Sequence, residues 1–149
     1  MSQSMPAIAN LHWVTDGLFA AGQPGPDDWA KLGGAGVRSV VNLRTAAEQF
    51  GMAERELVEA AGLAYAQVPV ADGAALGAAV VAQVHRALST LPAPCLVHCA
   101  SANRVGAVLA LRSAWHLGAT PEAALEVGRR AGLASLEPLV RHHLGTAAD

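Results

Sequence analysis

Residues 94–107 read PCLVHCASANRVGA, and their reading decides the fold. Cys95 to His98 is a short apolar run preceded by Pro92 and Pro94, which suits a buried strand. Ala100 to Asn103 is a loop of small residues. From about Asn103 through Trp115 the chain is helical in pattern and nearly free of polar residues apart from Arg112, so this helix is expected to be largely buried. A strand that enters a helix through a tight loop is half of a βαβ unit, which implies a parallel sheet. The same turn can aim backbone N–H groups from Ala100 to Arg104 at one spot before a helix N-terminus, a candidate anion cradle.

Outward from that stretch the alternation recurs. Leu11 to Thr15 and Leu18 to Ala21 flank the turn dipeptide Asp16-Gly17 and read as a hairpin or two edge strands. Pro26, Asp27 or Asp28 can start a short helix through Trp29 and Leu32 that Gly33, Gly34 and Gly36 end. Val37 to Leu43 suits a buried strand, Thr45 to Ala61 a helix closed by Gly62, and Leu63 to Val70 a second long strand. An alanine-rich helix follows Asp72-Gly73 and runs to about Leu91, where Pro92 and Pro94 stop it. Helices over Pro121 to Ala131 and Leu136 to Leu144 complete the chain. The expected fold class is α/β, a central mostly parallel sheet of four to five strands flanked by helices, in one domain over residues 1–149 with 1–10 loosely ordered.

The 149 residues carry 10 Lys+Arg against 12 Asp+Glu, a formal net charge of -2. Nucleic acid and anionic membranes need a basic surface, so neither is an expected partner. Hydrophobic residues make up 52% and charged ones 15%, a folding rather than a disordered composition. The two cysteines, Cys95 and Cys99, would lie ~13 Å apart in an extended segment, beyond disulfide reach. Free thiols, no visible signal segment in residues 1–10 and no apolar run of the ~20 residues that span a bilayer lead to a cytoplasmic expectation.

Chemistry concentrates in the loop after the third buried strand. Cys99 heads it, where loop amides and a helix N-terminus would favour thiolate over thiol. Arg104 closes it, with a guanidinium able to hold two oxygens of a tetrahedral anion. Nucleophile, donors and cation within six residues make a covalent-catalysis constellation, against the plainer reading of a core cysteine beside a helix start.

His98-Cys99, the small-residue loop, Arg104 and a buried helix resemble the signature loop of cysteine-dependent protein tyrosine and dual-specificity phosphatases. Leu18-Phe19-Ala20-Ala21-Gly22-Gln23-Pro24, the strand end Val40-Val41-Asn42-Leu43-Arg44 and Val68-Pro69-Val70 are similar, more narrowly, to the phosphatase-like domain of β-lactamase-hydrolase-like proteins. The resemblance spans about residues 11–132 and implies a dual-specificity-phosphatase-like sheet, a phosphorylated substrate or small tetrahedral oxyanion as partner, and no metal or cofactor. It further implies that Cys99 attacks phosphorus, that Arg104 and the loop from Ala100 through Ser101, Ala102 and Asn103 bind the anion, and that His98 holds the loop. Asp72, 27 positions before Cys99, falls where such enzymes carry their general acid; the alternative is that Asp72-Gly73 is only a turn.

Three departures stand beside the resemblance. Four residues separate Cys99 from Arg104, where this class has five and rhodanese-type sulfurtransferases have four. The third loop position, commonly Gly, is Ala102, and a positive φ there would cost about 1 kcal/mol. Val105 replaces a common Ser or Thr, for which Ser101 is a candidate substitute. A sulfurtransferase forming a persulfide on Cys99 and a weakened anion-binding module therefore remain alternatives. Arg44 ends a strand on the same side of the sheet as Cys99, or pairs Glu48 four residues on. Gln23 is a candidate for the pocket mouth. His142-His143 points to different helix faces and is a poor metal site, and His12, His85 and His116 are isolated in sequence. Trp13, Trp29 and Trp115 are expected in the core or at its rim.

Overall fold

The computed structural model describes residues 4–49 and 53–145. Strands β1 (His12–Thr15), β2 (Leu18–Ala21), β3 (Ser39–Asn42), β4 (Ala64–Gln67) and β5 (Cys95–His98) form one five-stranded sheet in the order β1-β2-β5-β3-β4. β1 runs antiparallel to β2, and every other neighbouring pair is parallel. Asp16-Gly17 makes the hairpin turn, with Gly17 at φ +79°. β1 is an edge strand, while β2 is internal and pairs Ala21 with His98 of β5.

Side chains alternate across the sheet, so Val40 and Leu96 enter one core and Val41 and Val97 the other. Helices α1 (Asp28–Gly34) and α2 (Glu54–Ala60) cover the first face through Trp29, Leu32 and Val58. Ile8, with Met5 and Leu11 beside it, joins the same cluster, and Ala9 O accepts from Gly22 N at 2.9 Å. Helices α3 (Ala78–Thr90), α4 (Asn103–His116), α5 (Pro121–Ala131) and α6 (Glu137–Leu144) cover the second. α4 is buried from Val105 through Leu111 and packs most extensively against α5. Gly106 and Gly128 allow that approach: an ideal Cβ on Gly106 would fall on the Leu133 backbone nitrogen and lie 2.7 Å from Gly128 O.

The expected α/β fold is present, with differences at its elements. The helix expected over Thr45 to Ala61 is a 3-10 turn at Ala47–Gln49 followed by α2, and its residues 50–52 lie outside the described ones. Glu48 anchors the first turn: its Oε1 accepts from Thr45 N at 3.0 Å, and the same carboxylate accepts from Arg104 of α4 at 2.7 Å. The helix expected right after Asp72-Gly73 is likewise a 3-10 turn at Gly73–Ala75, and α3 starts only after Leu76 and Gly77 pass through extended backbone. The strands at 37–43 and 63–70 pair regularly over only four residues each, yet Leu43 N reaches His98 O (2.9 Å) and Val70 N reaches Leu43 O (2.8 Å) beyond them. Of the tryptophans, Trp29 is core, whereas Trp13 and Trp115 are 53% and 40% exposed.

Candidate active site

Parallel strands deliver their following loops to one end of the sheet, and the central strand β5 delivers Cys99 there. Cys99 is fully buried; its amide donates to Ala21 O at 3.2 Å and its Sγ accepts from Ala102 N at 3.1 Å. That second contact requires a sharp turn, which Ala102 makes at φ +74°, ψ -6° as the N-cap of α4. A left-handed alanine costs about 1 kcal/mol. The structure accommodates its methyl with a second left-handed residue, Gly132 at φ +113°, where an added Cβ would stand 2.7 Å from Ala102 Cβ. Among the described residues, the amides of Ala100, Ser101, Asn103, Arg104 and Val105 meet no acceptor, so the turn and the first helical residues offer a set of free donors.

Arg104 is divided between protein and pocket. Its Nη1 and Nη2 each donate to Glu48, at 2.7 Å, and Nη1 also reaches Val70 O at 2.8 Å and Ala71 O at 3.5 Å. A guanidinium has five N–H donors. Among the described residues no oxygen or nitrogen acceptor meets the edge formed by Nε–H and the second Nη2–H; the Cys99 sulfur is a further hydrogen-bond partner of the guanidinium, and an oxyanion seated on that edge would be held by a bidentate fork. The Glu48 hydrogen bonds raise the Arg104 pKa, burial opposes them, and a charge on Cys99 raises it further. In return the Arg104 hydrogen bonds, opposed by burial and helped by the Thr45 amide, hold Glu48 down at about 2.

From Glu48 a polar chain passes around the loop to its other side. Arg44 donates to Glu48 O (2.9 Å), to Glu48 Oε2 (3.5 Å) and to Gln23 Oε1 (2.7 Å). Gln23 donates to Glu54 Oε1 at 2.9 Å, and Glu54 Oε2 takes Tyr65 Oη at 2.9 Å and His98 Nε2 at 2.7 Å. The other His98 ring nitrogen faces Cys99 O at 3.3 Å. His98 and Glu54 are both buried, so the ring beneath Cys99 is fixed by a carboxylate that water does not screen. Burial would raise the Glu54 pKa, but the hydrogen bond and charge of His98, with Gln23 and Tyr65, bring it below the ordinary value. Burial, opposed by the Asn42 amide and helped by Glu54, raises Tyr65.

The sequence candidates divide accordingly. Cys99, Arg104 and His98 meet in one place, and Arg44 joins them through Glu48, so its two readings are both met. Asp72 is exposed, and its Oδ1 caps the next turn by accepting from Ala74 N at 3.0 Å; the loop that carries it is tied to Arg104 two and one residues earlier, at Val70 and Ala71. The Asn103 side chain points away from the cradle: Oδ1 accepts from Ala134 N (2.8 Å) and Leu136 N (3.3 Å), and Nδ2 donates to Ser135 Oγ (2.8 Å). Its side chain is thus a clamp, which leaves its amide for an anion. Ser101 is exposed and its hydroxyl makes no hydrogen bond among the described residues, so it does not replace the hydroxyl absent at Val105. Burial pushes the Cys95 thiol up to about 11. His85 and His116, isolated in sequence, stack at 4.4 Å between ring centroids.

Glu54 and Tyr65 escaped the sequence reading, and Glu48 entered it only as a partner of Arg44, not of Arg104. Thr45-Ala46-Ala47-Glu48 has the capping-box spacing, a local signal for a helix start but silent about Arg104, 56 residues away. Glu54 carries no signal, because its partner His98 is 44 residues downstream.

Comparison with known proteins follows the same lines as the geometry. The model of a family described as the phosphatase-like domain of β-lactamase hydrolase-like proteins matches residues 10–116. A β-lactamase hydrolase-like protein of Xylella fastidiosa is 34% identical over 102 residues, which are 66% of this chain and 23% of that protein. The chain thus matches less than a quarter of that relative's length. A candidate phosphatase of Neisseria meningitidis superposes with a TM-score of 0.74 at 17% identity, over 89% of this chain and 95% of its own. Kinase-associated phosphatase superposes with a TM-score of 0.71 at 18% identity, over 97% and 100%. At such identities the likeness is one of fold.

Proposed function

The chain belongs to the phosphatase-like domain family of β-lactamase hydrolase-like proteins, and from that membership we propose that it hydrolyses phosphate monoesters through a phosphocysteine on Cys99. The observation that carries the reading is the placement of Arg104: Glu48 holds its Nη1 and Nη2, and the guanidinium also hydrogen-bonds the buried Cys99 sulfur, which leaves the Nε/Nη2 edge without an oxygen or nitrogen acceptor and beside the nucleophile of this reading. In this reading the Cys99 thiolate attacks phosphorus, an S–P bond forms as the bond to the leaving oxygen breaks, and Asp72 gives that oxygen its proton. Water then attacks phosphorus and yields its proton to the Asp72 carboxylate, the S–P bond breaks, and Cys99 leaves as thiolate. Arg104 and the amides of Ala100, Ser101 and Asn103 hold the equatorial oxygens, while the Ala102 amide, expected from sequence to join them, donates to Cys99 Sγ instead.

The experiment is turnover of an aryl phosphate with acid-quench trapping of the labelled intermediate. Cys99→Ser is expected to abolish both turnover and trapped label. Asp72→Asn is expected to lower kcat by roughly 10²–10⁴; unchanged turnover would remove Asp72 from the mechanism and leave it as a turn cap. The Cys-x4-Arg spacing favours the second reading, sulfur transfer, in which Cys99 takes sulfane sulfur from thiosulfate. Cyanide-reactive persulfide formed from thiosulfate faster than phosphate is released would overturn the phosphatase reading. Phosphate binding with neither covalent species would leave an anion-binding module.

A further inference from the structure

The far half of α4 holds a feature the phosphatase reading does not use. A cavity of about 190 Å³ lies between α4, α5 and the β1–β2 hairpin, walled by Val14, Leu18, Leu109, Leu117 and Val127. Two guanidinium groups line it, Arg112 and Arg130. Arg130 is positioned by donating to Val14 O at 2.9 Å, and Arg112 by donating through Nε to His85 Nδ1 at 3.1 Å. Among the described residues neither has a carboxylate within ion-pair distance, and the two Nη groups of Arg112 have no hydrogen-bond partner. His116 stacks on His85, and the other titratable group that faces Arg112, Cys95, is a buried thiol pushed up to about 11, so neither supplies a carboxylate.

A partly buried cation with no anion is uncommon, because losing water without gaining a counter-charge is costly. Burial lowers the Arg112 pKa, as expected of such a site. We propose that this cavity binds a small monocarboxylate with an aliphatic tail, the carboxylate on Arg112 and Arg130 and the tail against Leu109, Leu117 and Val127. The walls argue for a carboxylate over phosphate: one weakly hydrated charge at a two-arginine rim leaves the remainder of the ligand apolar, which these side chains match. The site is separate from Cys99. Leu18 pairs with Cys95 at the start of β5, whereas Cys99 follows its end, and eight helical residues from Arg104 to Arg112 rise about 12 Å.

The test is titration of the full chain with hexanoate, hexanol and inorganic phosphate, followed by backbone NMR. Hexanoate is expected to give saturable shifts at Leu109, Leu117 and Val127, with hexanol weaker by about tenfold or more and with no competition from phosphate. Arg112→Gln should weaken hexanoate by about tenfold or more while Arg112→Lys, which keeps the charge, loses less. Val127→Phe fills the cavity and should abolish binding with both arginines intact, which decides the matter even if Arg112→Gln fails to fold. Equal binding of hexanol, shifts centred on residues 99–104, undiminished binding in Val127→Phe, or no saturation below about 50 mM would each overturn the proposal.

Discussion

Ala102 and Gly132 form a pair in which each residue explains the other. Ala102→Gly relieves a left-handed alanine worth about 1 kcal/mol but gives up a buried methyl of similar value, so stability is expected to change by less than about 1 kcal/mol. Gly132→Ala is different, since its Cβ would meet Ala102 Cβ at 2.7 Å from a backbone at φ +113°, and a loss of about 2–3 kcal/mol is expected by urea unfolding. The double mutant should recover part of that loss, and strict additivity would show that the two methyls do not collide. Glu54→Ala strands His98 in the core and should cost about 3 kcal/mol, with Glu54→Gln costing less because the amide keeps the hydrogen-bonded shape. The Ala102 strain was legible in the sequence, because the loop position itself signalled a turn; its remedy was not, because Gly132 lies 30 positions along and reads there as an ordinary helix stop.

Between elements, the contacts that matter are either very close or charged. Gly106→Ala drives a methyl into the Leu133 backbone where α4 meets α5, and a loss of about 3 kcal/mol or more is expected, read as a lowered urea midpoint. Between α5 and α6, Glu137 is held by Arg129 at 2.9 Å and by Arg141 at 3.2 Å. The Arg129 hydrogen bond, opposed by burial and supported by Arg141, lowers Glu137 from 4.5 to about 2. The native carboxylate therefore binds its proton less tightly than the unfolded one, so the contribution is complete above about pH 4.5 and fades as pH falls through about 2. Urea midpoints of the wild type and Glu137→Gln should differ by a constant amount near neutrality and converge in that acid window; convergence above it would refute the pairing. Helix α5, by its bounding Pro121, and α4, by its nearly unbroken apolar run after the Cys99 loop, were readable from sequence. The bounds of the expected 45–61 helix were not, because the carboxylate of Glu48 serves both its own turn and a guanidinium from another element, which the local sequence does not show.

At the scale of the molecule, sheet order places the ends of β2, β5, β3 and β4 side by side, and this brings four short stretches of sequence together: Gln23, Arg44 with Glu48, Val70 with Ala71, and His98 to Arg104. The mostly parallel sheet and the Cys99 loop could be inferred from alternation and turn chemistry. The carboxylates that hold Arg104 and His98 could not, because nothing local distinguishes Glu48 or Glu54 from a surface glutamate. Residues 10–116, the span matched by the family model, omit α5, α6 and the segment clamped by Asn103. A fragment of that span would bare the apolar side of α4 and is expected to bind a hydrophobic dye and unfold without cooperativity, whereas 4–145 should unfold in one step.

The Asn103 clamp also orders events in time. Ala134, Ser135 and Leu136, which it grips, are 31 to 33 residues downstream. During synthesis the Cys99 loop therefore leaves the ribosome roughly 2–6 s before the chain that pins it exists. Through that interval the loop that follows Cys99 lacks its last constraint, so the amide arrangement around the sulfur is set only once residues 134–136 have been made.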